Sequence, residues 1–157
     1  MVSPTMRFVV TQLATAGGDP LGFVLHRIDI TRGAGGAVSS ITIPEVARYC
    51  YPGGKAAMSL DDRWIVTHHR ATDADAVDLG FTGASDPGFA AYRGVSNVYL
   101  IDTATGERIR VTNMQPGQRA LFPHFRSDGW LYYLARSGAA GSLPEYIVAS
   151  NAGIVLR

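Results

Sequence analysis

The sequence predicts an all-β fold, and three features of its composition carry this prediction. The charged residues comprise thirteen Arg and ten Asp but one Lys and three Glu, so the residue types that usually cover exposed helices are scarce. Eighteen Gly and eight Pro, 26 of 157 residues, mark frequent turns. Between these turns lie short runs of Val, Ile, Tyr, Phe and Thr, which suit a pleated sheet.

Ten short strands are predicted, with less than about a tenth of the residues in helix. Residues 72–79 have some helical character, but Gly80, Gly83 and Pro87 limit them to one turn. The runs 98–101 and 131–134 are apolar at consecutive positions, so both faces of their sheets should be covered. The predicted strands span residues 7–13, 22–30, 37–43, 64–69, 97–102, 108–112, 120–125, 130–135, 146–150 and 153–156.

Two turns have the composition of β-hairpins. Asp102 can accept backbone hydrogen bonds at the start of the first turn, and Gly106 can adopt a positive φ near its end. Gly129 stands in the corresponding position of the second turn, after Asp128. The strands on either side of each turn are therefore expected to pair.

An internal repeat relates residues 59–67 to residues 126–133, since each is an Asp-based turn followed by an aromatic-led strand. We expect Trp64 and Trp130 to occupy equivalent places in the two copies. The offset from Asp61 to Asp128 is 67 residues, which exceeds the roughly 40–45 residues of a four-stranded propeller blade. The excess falls in residues 71–95, which show no strand pattern and are predicted to be an insertion.

The second copy and the strands before it resemble the TolB-like β-propeller repeat. Residues 97–112 give a strand that ends in Asp102, a hairpin that contains Gly106 and a strand that ends at Thr112. Residues 123–133 then give the Pro-led stretch with an Asp-Gly turn and an apolar strand. The resemblance covers residues 56–134. It departs from the family pattern at Leu60, Asp62, Arg126 and Ser127, and it lacks one residue after Gly129.

The resemblance implies a partial β-propeller of about three four-stranded antiparallel blades, formed by one domain over residues 1–157 with a loop insertion at 71–95. A closed ring has typically four to eight blades, so three cannot close alone. We therefore expect the remainder of a propeller, a second copy or another protein to complete the ring. The strands at 7–13 and 153–156 are predicted to form the open edges, which would make the isolated chain self-associate.

Charge and hydropathy exclude two classes of partner. The net charge is 14 − 13 = +1 without a basic patch, which predicts no nucleic-acid binding. No apolar run is long enough to span a bilayer, and residues 8–10 are too brief for the core of a signal peptide. The sequence itself leaves the location unknown, whereas the TolB-like resemblance implies a periplasmic or envelope-associated protein.

Common catalytic motifs are absent from the sequence. It contains no Gly-x-Ser-x-Gly, His-Glu-x-x-His or Cys-x-x-Cys pattern. We therefore assign no catalytic residue and expect a non-enzymatic interaction module that binds a protein partner through a propeller face or the 71–95 loop. The alternative is part of a propeller hydrolase acting on glycans or peptides, which two carboxylates converging on one pocket would indicate.

Four residues are the candidates for partner binding. Phe81, Phe89 and Tyr92 lie in the insertion, where aromatic side chains are typical anchors for a partner. Alternatively, their rings fold back onto a neighbouring blade. His68 stands beside His69 at a strand end, where it either lines a pocket or makes ordinary hydrogen bonds.

Three carboxylates in the insertion suggest a metal. Asp73, Asp75 and Asp78 lie within six residues, and oxygen ligands suit calcium. The glycine and glutamate of an EF-hand loop are missing. The alternatives are a calcium site and a solvated acidic loop, and no other cofactor is predicted.

Overall fold

The computed structural model describes residues 1–138 and 145–156, and strands dominate it. About 49% of the residues are in strands and 11% in helices. The helices are short: α1 (Pro87–Tyr92), α2 (Ala152–Val155) and 3-10 turns at Ala34–Gly36 and Asp73–Asp75. Neither α-helix in these ranges has the length and apolar character needed to cross a bilayer. The all-β prediction is confirmed, with a helical share slightly above the expected tenth.

The N-terminal part folds into a three-stranded sheet and a separate hairpin. Its strands are β1 (Phe8–Ala14), β2 (Pro20–Arg27), β3 (Asp29–Arg32), β4 (Val38–Thr42) and β5 (Glu45–Tyr49). The first sheet is antiparallel in the order β1-β2-β5, whereas β3 and β4 pair only with each other. Every residue of β4 is exposed, and Ile41 pairs with the equally exposed Ile30 of β3.

Four successive strands form the second sheet. They are β6 (Gly54–Met58), β7 (Trp64–Arg70), β8 (Ser96–Asp102) and β9 (Arg108–Arg110), and each pairs antiparallel with the next. The third sheet consists of β10 (Gln118–Phe125), β11 (Leu131–Ser137) and β12 (Glu145–Ser150), again antiparallel in chain order. A single parallel bridge, Arg119 with Ser96, joins these two groups of strands, so β6 to β12 form one continuous seven-stranded sheet in the order β12-β11-β10-β8-β7-β6, with β9 on β8. The strands β6–β9 and β10–β12 are called the second and the third sheet below.

Two cores hold the three sheets together. The first core lies between the first and second sheets and contains Phe23, Tyr49 and Ile65. The second lies between the second and third sheets and contains Trp64 and Leu131. Because successive side chains of a strand point to opposite faces, neighbouring residues of β7 enter different cores. The side chains of β8 alternate between the same two cores. This explains why β8 is buried along its whole length, as the apolar run at 98–101 predicts.

Most strand predictions are confirmed, and the exceptions have local causes. The predicted strand at 22–30 is divided into β2 and β3 after Arg27, and the predicted strand at 108–112 ends at Arg110. The prediction at 153–156 is wrong, since these residues lie in and after α2. The third sheet therefore ends at β12. Gly153 of α2 packs closely on Phe125, since an added Cβ would lie 2.7 Å from that ring. Strands β5 and β6 were not predicted.

The repeat is confirmed by the pairing of the strands. Residues Met58 and Ile65 pair before and after the first turn, and Phe125 and Leu131 pair around the second. The residue just inside these pairs is Trp64 in the first copy and Trp130 in the second. In both copies the carbonyl oxygen of this tryptophan accepts the hydrogen bond that closes the turn, at 2.9 and 3.0 Å. The two tryptophans are therefore equivalent.

Both turns use a positive φ at the same point. Gly129 has φ 80°, and Asp62 stands in its place in the first copy with φ 59°. A hydrogen bond from the Thr5 hydroxyl to its carboxylate holds the Asp62 side chain, and the Asp62 carbonyl accepts from the Thr103 hydroxyl at 2.9 Å. These tertiary contacts stabilise an aspartate where the repeat pattern usually has glycine. Gly106 also has the predicted positive φ, at 76°.

Candidate functional site

The outer face of the third sheet is an apolar surface that no described residue covers. Trp130 is 39% exposed and Ile147 is 78% exposed, while Tyr132 and Leu134 on the same face are half-buried. The equivalent Trp64 is only 1% exposed, because the third sheet covers it. The prediction that both faces of 131–134 are covered is therefore wrong for this outer face.

Tyr132 lies at the centre of this outer face. The Arg126 guanidinium lies 5.2 Å from the centroid of the Tyr132 ring. The His124 ring stacks on the same tyrosine, with centroids 6.1 Å apart and an angle of 25° between the planes. Trp, Tyr and Arg are the residue types that contribute most to protein interfaces. The outer face thus has both the exposure and the composition of an interaction surface.

The far face of the first sheet, at the other end of the stack, is polar. The Thr11 hydroxyl lies 3.1 Å from Nε2 of His26 on the neighbouring strand. Arg48 of β5 forms two hydrogen bonds with Glu45, at 2.9 and 3.1 Å. These pairs satisfy one another in water, and they flank Val24, which pairs with both Thr11 and Arg48 and is 2% exposed.

A cleft of about 610 Å³ lies where all three sheets meet. The turn between β1 and β2 contributes Asp19, and β2 begins at its rim with Pro20. The other lining residues come from the second and third sheets and the segment that follows β7: Gly54, His68, His69, Arg70, Thr72, Arg119, Leu121, Phe122 and Arg136. The cleft therefore brings together residues that are more than a hundred positions apart in the sequence.

Two equivalent strained residues meet at this cleft. Lys55 and Phe122 are the first residues of the β-bulges in β6 and β10, and both have positive φ, 25° and 52°. Such a conformation is rare for residues with a side chain and costs on the order of 1–3 kcal/mol. The Lys55 ammonium lies 4.7 Å from the centroid of the Phe122 ring. Bulges and strained residues are frequent beside functional sites, so this place in the two sheets is a candidate site.

His68 lies in the cleft, which agrees with the prediction that it lines a pocket. Its ring packs edge-on against Phe122, with centroids 5.6 Å apart, and closely over Gly54. Burial and the neighbouring His69, Lys55 and Arg70 lower the pKa of His68. Nδ1 is buried and has no hydrogen-bond partner. His68 is therefore a neutral polar group at pH 7, and its role in binding a partner stays a prediction.

The next histidine fixes the insertion to the sheet. Nε2 of His69 lies 2.8 Å from Oδ2 of Asp75, and the Thr72 amide and hydroxyl both donate to the same oxygen at 2.7 Å. Burial raises the pKa of Asp75, but these hydrogen bonds outweigh it and lower the pKa to about 2. The carboxylate thus stays ionised and ties the start of the insertion to β7.

The aromatic residues of the insertion pack on one another. Phe89 is fully buried and Tyr92 is 8% exposed, and the half-buried Phe81 lies 5.5 Å from the centroids of both rings. Helix α1 places Phe89 and Tyr92 on one side, and the Asp86 carboxylate caps its start by accepting from the Gly88 amide at 2.8 Å. In this structure the three rings form the insertion's own small core, which is neither an exposed partner surface nor packing on a neighbouring blade, and their role in binding a partner stays a prediction.

The three candidate calcium ligands point to different partners. Asp75 binds His69 and Thr72, and Asp73 forms a salt bridge with Arg93 at 2.8 Å. Asp78 is largely exposed and lies 3.8 Å from Arg108. Within residues 1–138 and 145–156, no three His, Cys, Asp or Glu side chains converge as metal ligands would. The structure does not bring these carboxylates together.

A smaller cavity of about 250 Å³ bears on the hydrolase alternative. Asp75 and Asp78 both line it, together with Tyr99 and Arg108. Glycoside hydrolysis needs one carboxyl group that stays protonated, with a raised pKa. Asp75 has the opposite shift, so it does not supply the required acid.

Sequence reasoning missed most residues of the cleft. Arg70, Arg119 and Phe122 belong to no motif. The repeat aligns Phe122 with Lys55, and this alignment is the one sequence signal that could have pointed to Phe122. No protein-family model matches this chain, and no curated protein sequence matches it significantly. The function is therefore argued from the surfaces described above.

Proposed function

We propose that this chain is a partial β-propeller of about three blades that acts as a non-enzymatic interaction module. In this proposal the first, second and third sheets are successive blades, and a β-sheet of a protein partner packs on the outer face of the third. Three stacked sheets with antiparallel neighbours in chain order support it, as does the repeated bulge in β6 and β10. The TolB-like resemblance of residues 56–134 agrees with this arrangement.

One observation carries the proposal: equivalent tryptophans differ in burial. Trp64 is covered by the third sheet, whereas Trp130, at the same place in the repeat, is 39% exposed. Exposed contiguous apolar surface of this kind marks an interaction site. Since a sheet covers the first of these positions, a sheet is the expected occupant of the second.

The partner sheet is not expected to be the first sheet of a second copy. The far face of that sheet carries the polar pairs Thr11 with His26 and Arg48 with Glu45. Burying these groups against Trp130 and its neighbours would remove water from them without new hydrogen bonds. We therefore assign the partner sheet to a different polypeptide segment. A second copy could still associate face to face when no partner is present.

Size-exclusion chromatography with light scattering tests the uncovered face. We expect the isolated chain to self-associate as its concentration rises, and Ile147→Asp to abolish this by placing a charge on the outer face. Ile41→Asp is the matched control, because it changes another exposed isoleucine, 58% exposed against 78% for Ile147, on the β3–β4 hairpin. A concentration-independent monomer of 16.8 kDa would contradict the proposal. Association abolished by Ile41→Asp but unaffected by Ile147→Asp would also contradict it.

A further inference from the structure

The cleft where the three sheets meet has an excess of unpaired positive charge. Seven arginines form salt bridges with Asp or Glu. One of them, Arg136, lines the cleft and is paired with Glu145, whereas the other six lie elsewhere. Among the described residues, Arg70 and the half-buried Arg119 have no acidic partner, although both line the cleft. The one carboxylate in the lining is the exposed Asp19. The cleft is therefore complementary to an anion.

The cleft also has an apolar wall. Phe122 is 45% exposed despite its left-handed backbone, and Leu121 and Pro20 continue the surface beside it. The strained bulge holds the Phe122 ring at the cleft, and the Lys55 ammonium covers part of that ring. A volume of about 610 Å³ lies within the roughly 300–1,000 Å³ of small-molecule sites.

We propose that this cleft binds a small organic anion. A carboxylate or phosphate group would accept hydrogen bonds from the Arg70 and Arg119 guanidiniums, and an apolar ring would pack on Phe122. Arginine suits this role because its planar donors match both carboxylate and phosphate oxygens. The cleft is complete within this chain, so the inference does not depend on the partner sheet.

Isothermal titration calorimetry with simple probes tests the inference. Phenyl phosphate and benzoate carry both a charge and a ring, and their comparison distinguishes a phosphate from a carboxylate ligand. We expect at least one of them to bind at one site per chain and to weaken as salt rises. Inorganic phosphate, which lacks the ring, and benzyl alcohol, which lacks the charge, should each bind at least about 10-fold more weakly.

Three variants locate the site. Arg119→Gln and Arg70→Gln should each weaken binding by about 10-fold or more, since each removes a charge-assisted hydrogen bond. Arg110→Gln is the matched control: among the described residues Arg110 also has no acidic partner, but it lines the cavity of about 250 Å³ and not the cleft. Because Arg70 is exposed, its replacement tests the site even if Arg119→Gln impairs folding. No binding of either ring-bearing probe, or equal losses in Arg110→Gln and Arg70→Gln, would overturn the inference.

Discussion

Replacing each of the two equivalent tryptophans by alanine gives a direct test of the stacked arrangement. The carbonyl groups of Trp64 and Trp130 close corresponding turns in two copies of the repeat. The first turn is one residue longer, and the Trp64 amide donates to Ser59 Oγ whereas the Trp130 amide donates to Asp128 Oδ1. The two tryptophans also differ in what lies over the indole ring. Trp64 is enclosed between the second and third sheets, whereas Trp130 faces outward from the last sheet.

The magnitudes follow from the buried area. A fully buried tryptophan removes ~200 Å² from water, which corresponds to ~5 kcal/mol as an upper estimate. Nε1 of Trp64 is buried without a hydrogen-bond partner, so Trp64→Ala should lower the free energy of unfolding by about 4 kcal/mol. Trp130 retains 39% exposure, and the space left by Trp130→Ala stays open to water. Its loss should therefore be about 2 kcal/mol.

Equilibrium unfolding in urea, at a protein concentration low enough to prevent association, measures both values. Circular dichroism of the strands reports the transition, since each substitution removes one of the two tryptophans and so changes the fluorescence signal. The denaturant slope should stay unchanged, which shows that the two variants unfold from comparable states. Equal losses of stability in the two variants would refute the assignment of Trp130 to an uncovered face, and so would a larger loss for Trp130→Ala.

Three further predictions concern the insertion and the first core. The pKa of Asp75 is lowered from 3.8 to about 2, so its stabilisation of about 2 kcal/mol is present above pH 4 and disappears as the pH falls through 2. Urea unfolding of Asp75→Asn should show a deficit that shrinks over this range, and a constant deficit would contradict it. Gly53→Ala should destabilise by about 1–3 kcal/mol in thermal or urea unfolding, because its Cβ would lie 2.4 Å from the Thr67 hydroxyl oxygen. Gly17→Ala has no contact closer than 3.6 Å and is the control, so equal effects would argue against this packing. Millimolar calcium should change the Tm by less than about 1 °C, because the insertion carboxylates are engaged elsewhere, and a larger rise reversed by EDTA would show otherwise.

The sequence predicted those elements whose signal is local. Consecutive apolar residues identified β8, and the Asp-Gly pair identified the turn at Gly129 together with its positive φ. The same local logic could not identify β6, because Gly54 and Lys55 are poor strand formers that pairing with β7 holds in place. It also mistook α2 for a strand, since a short apolar run has no period that separates the two structures.

The candidate surfaces depend on tertiary contacts, and this is why the sequence located them poorly. Asp73, Asp75 and Asp78 are neighbours in sequence, yet each binds a different group in the folded insertion. Arg70 and Arg119 lie on different strands and share a cleft because both pair with Ser96 of β8. Adjacent residues were thus predicted to cooperate, whereas the residues that share a cleft come from distant parts of the chain.

Repetition itself accounts for both surfaces. The two copies place their bulges at the same point of neighbouring sheets, and for this reason Lys55 and Phe122 come into contact. Since the side chains at these equivalent positions differ, the Lys55 ammonium lies over the Phe122 ring. The tryptophans show the complementary case, in which the same side chain has a different environment because one sheet has a neighbour and the other does not. On the outer face of the third sheet, Trp130 and Ile147 are not covered by any residue that the structure describes. Binding of a partner sheet should therefore bury Trp130 to the extent that Trp64 is already buried.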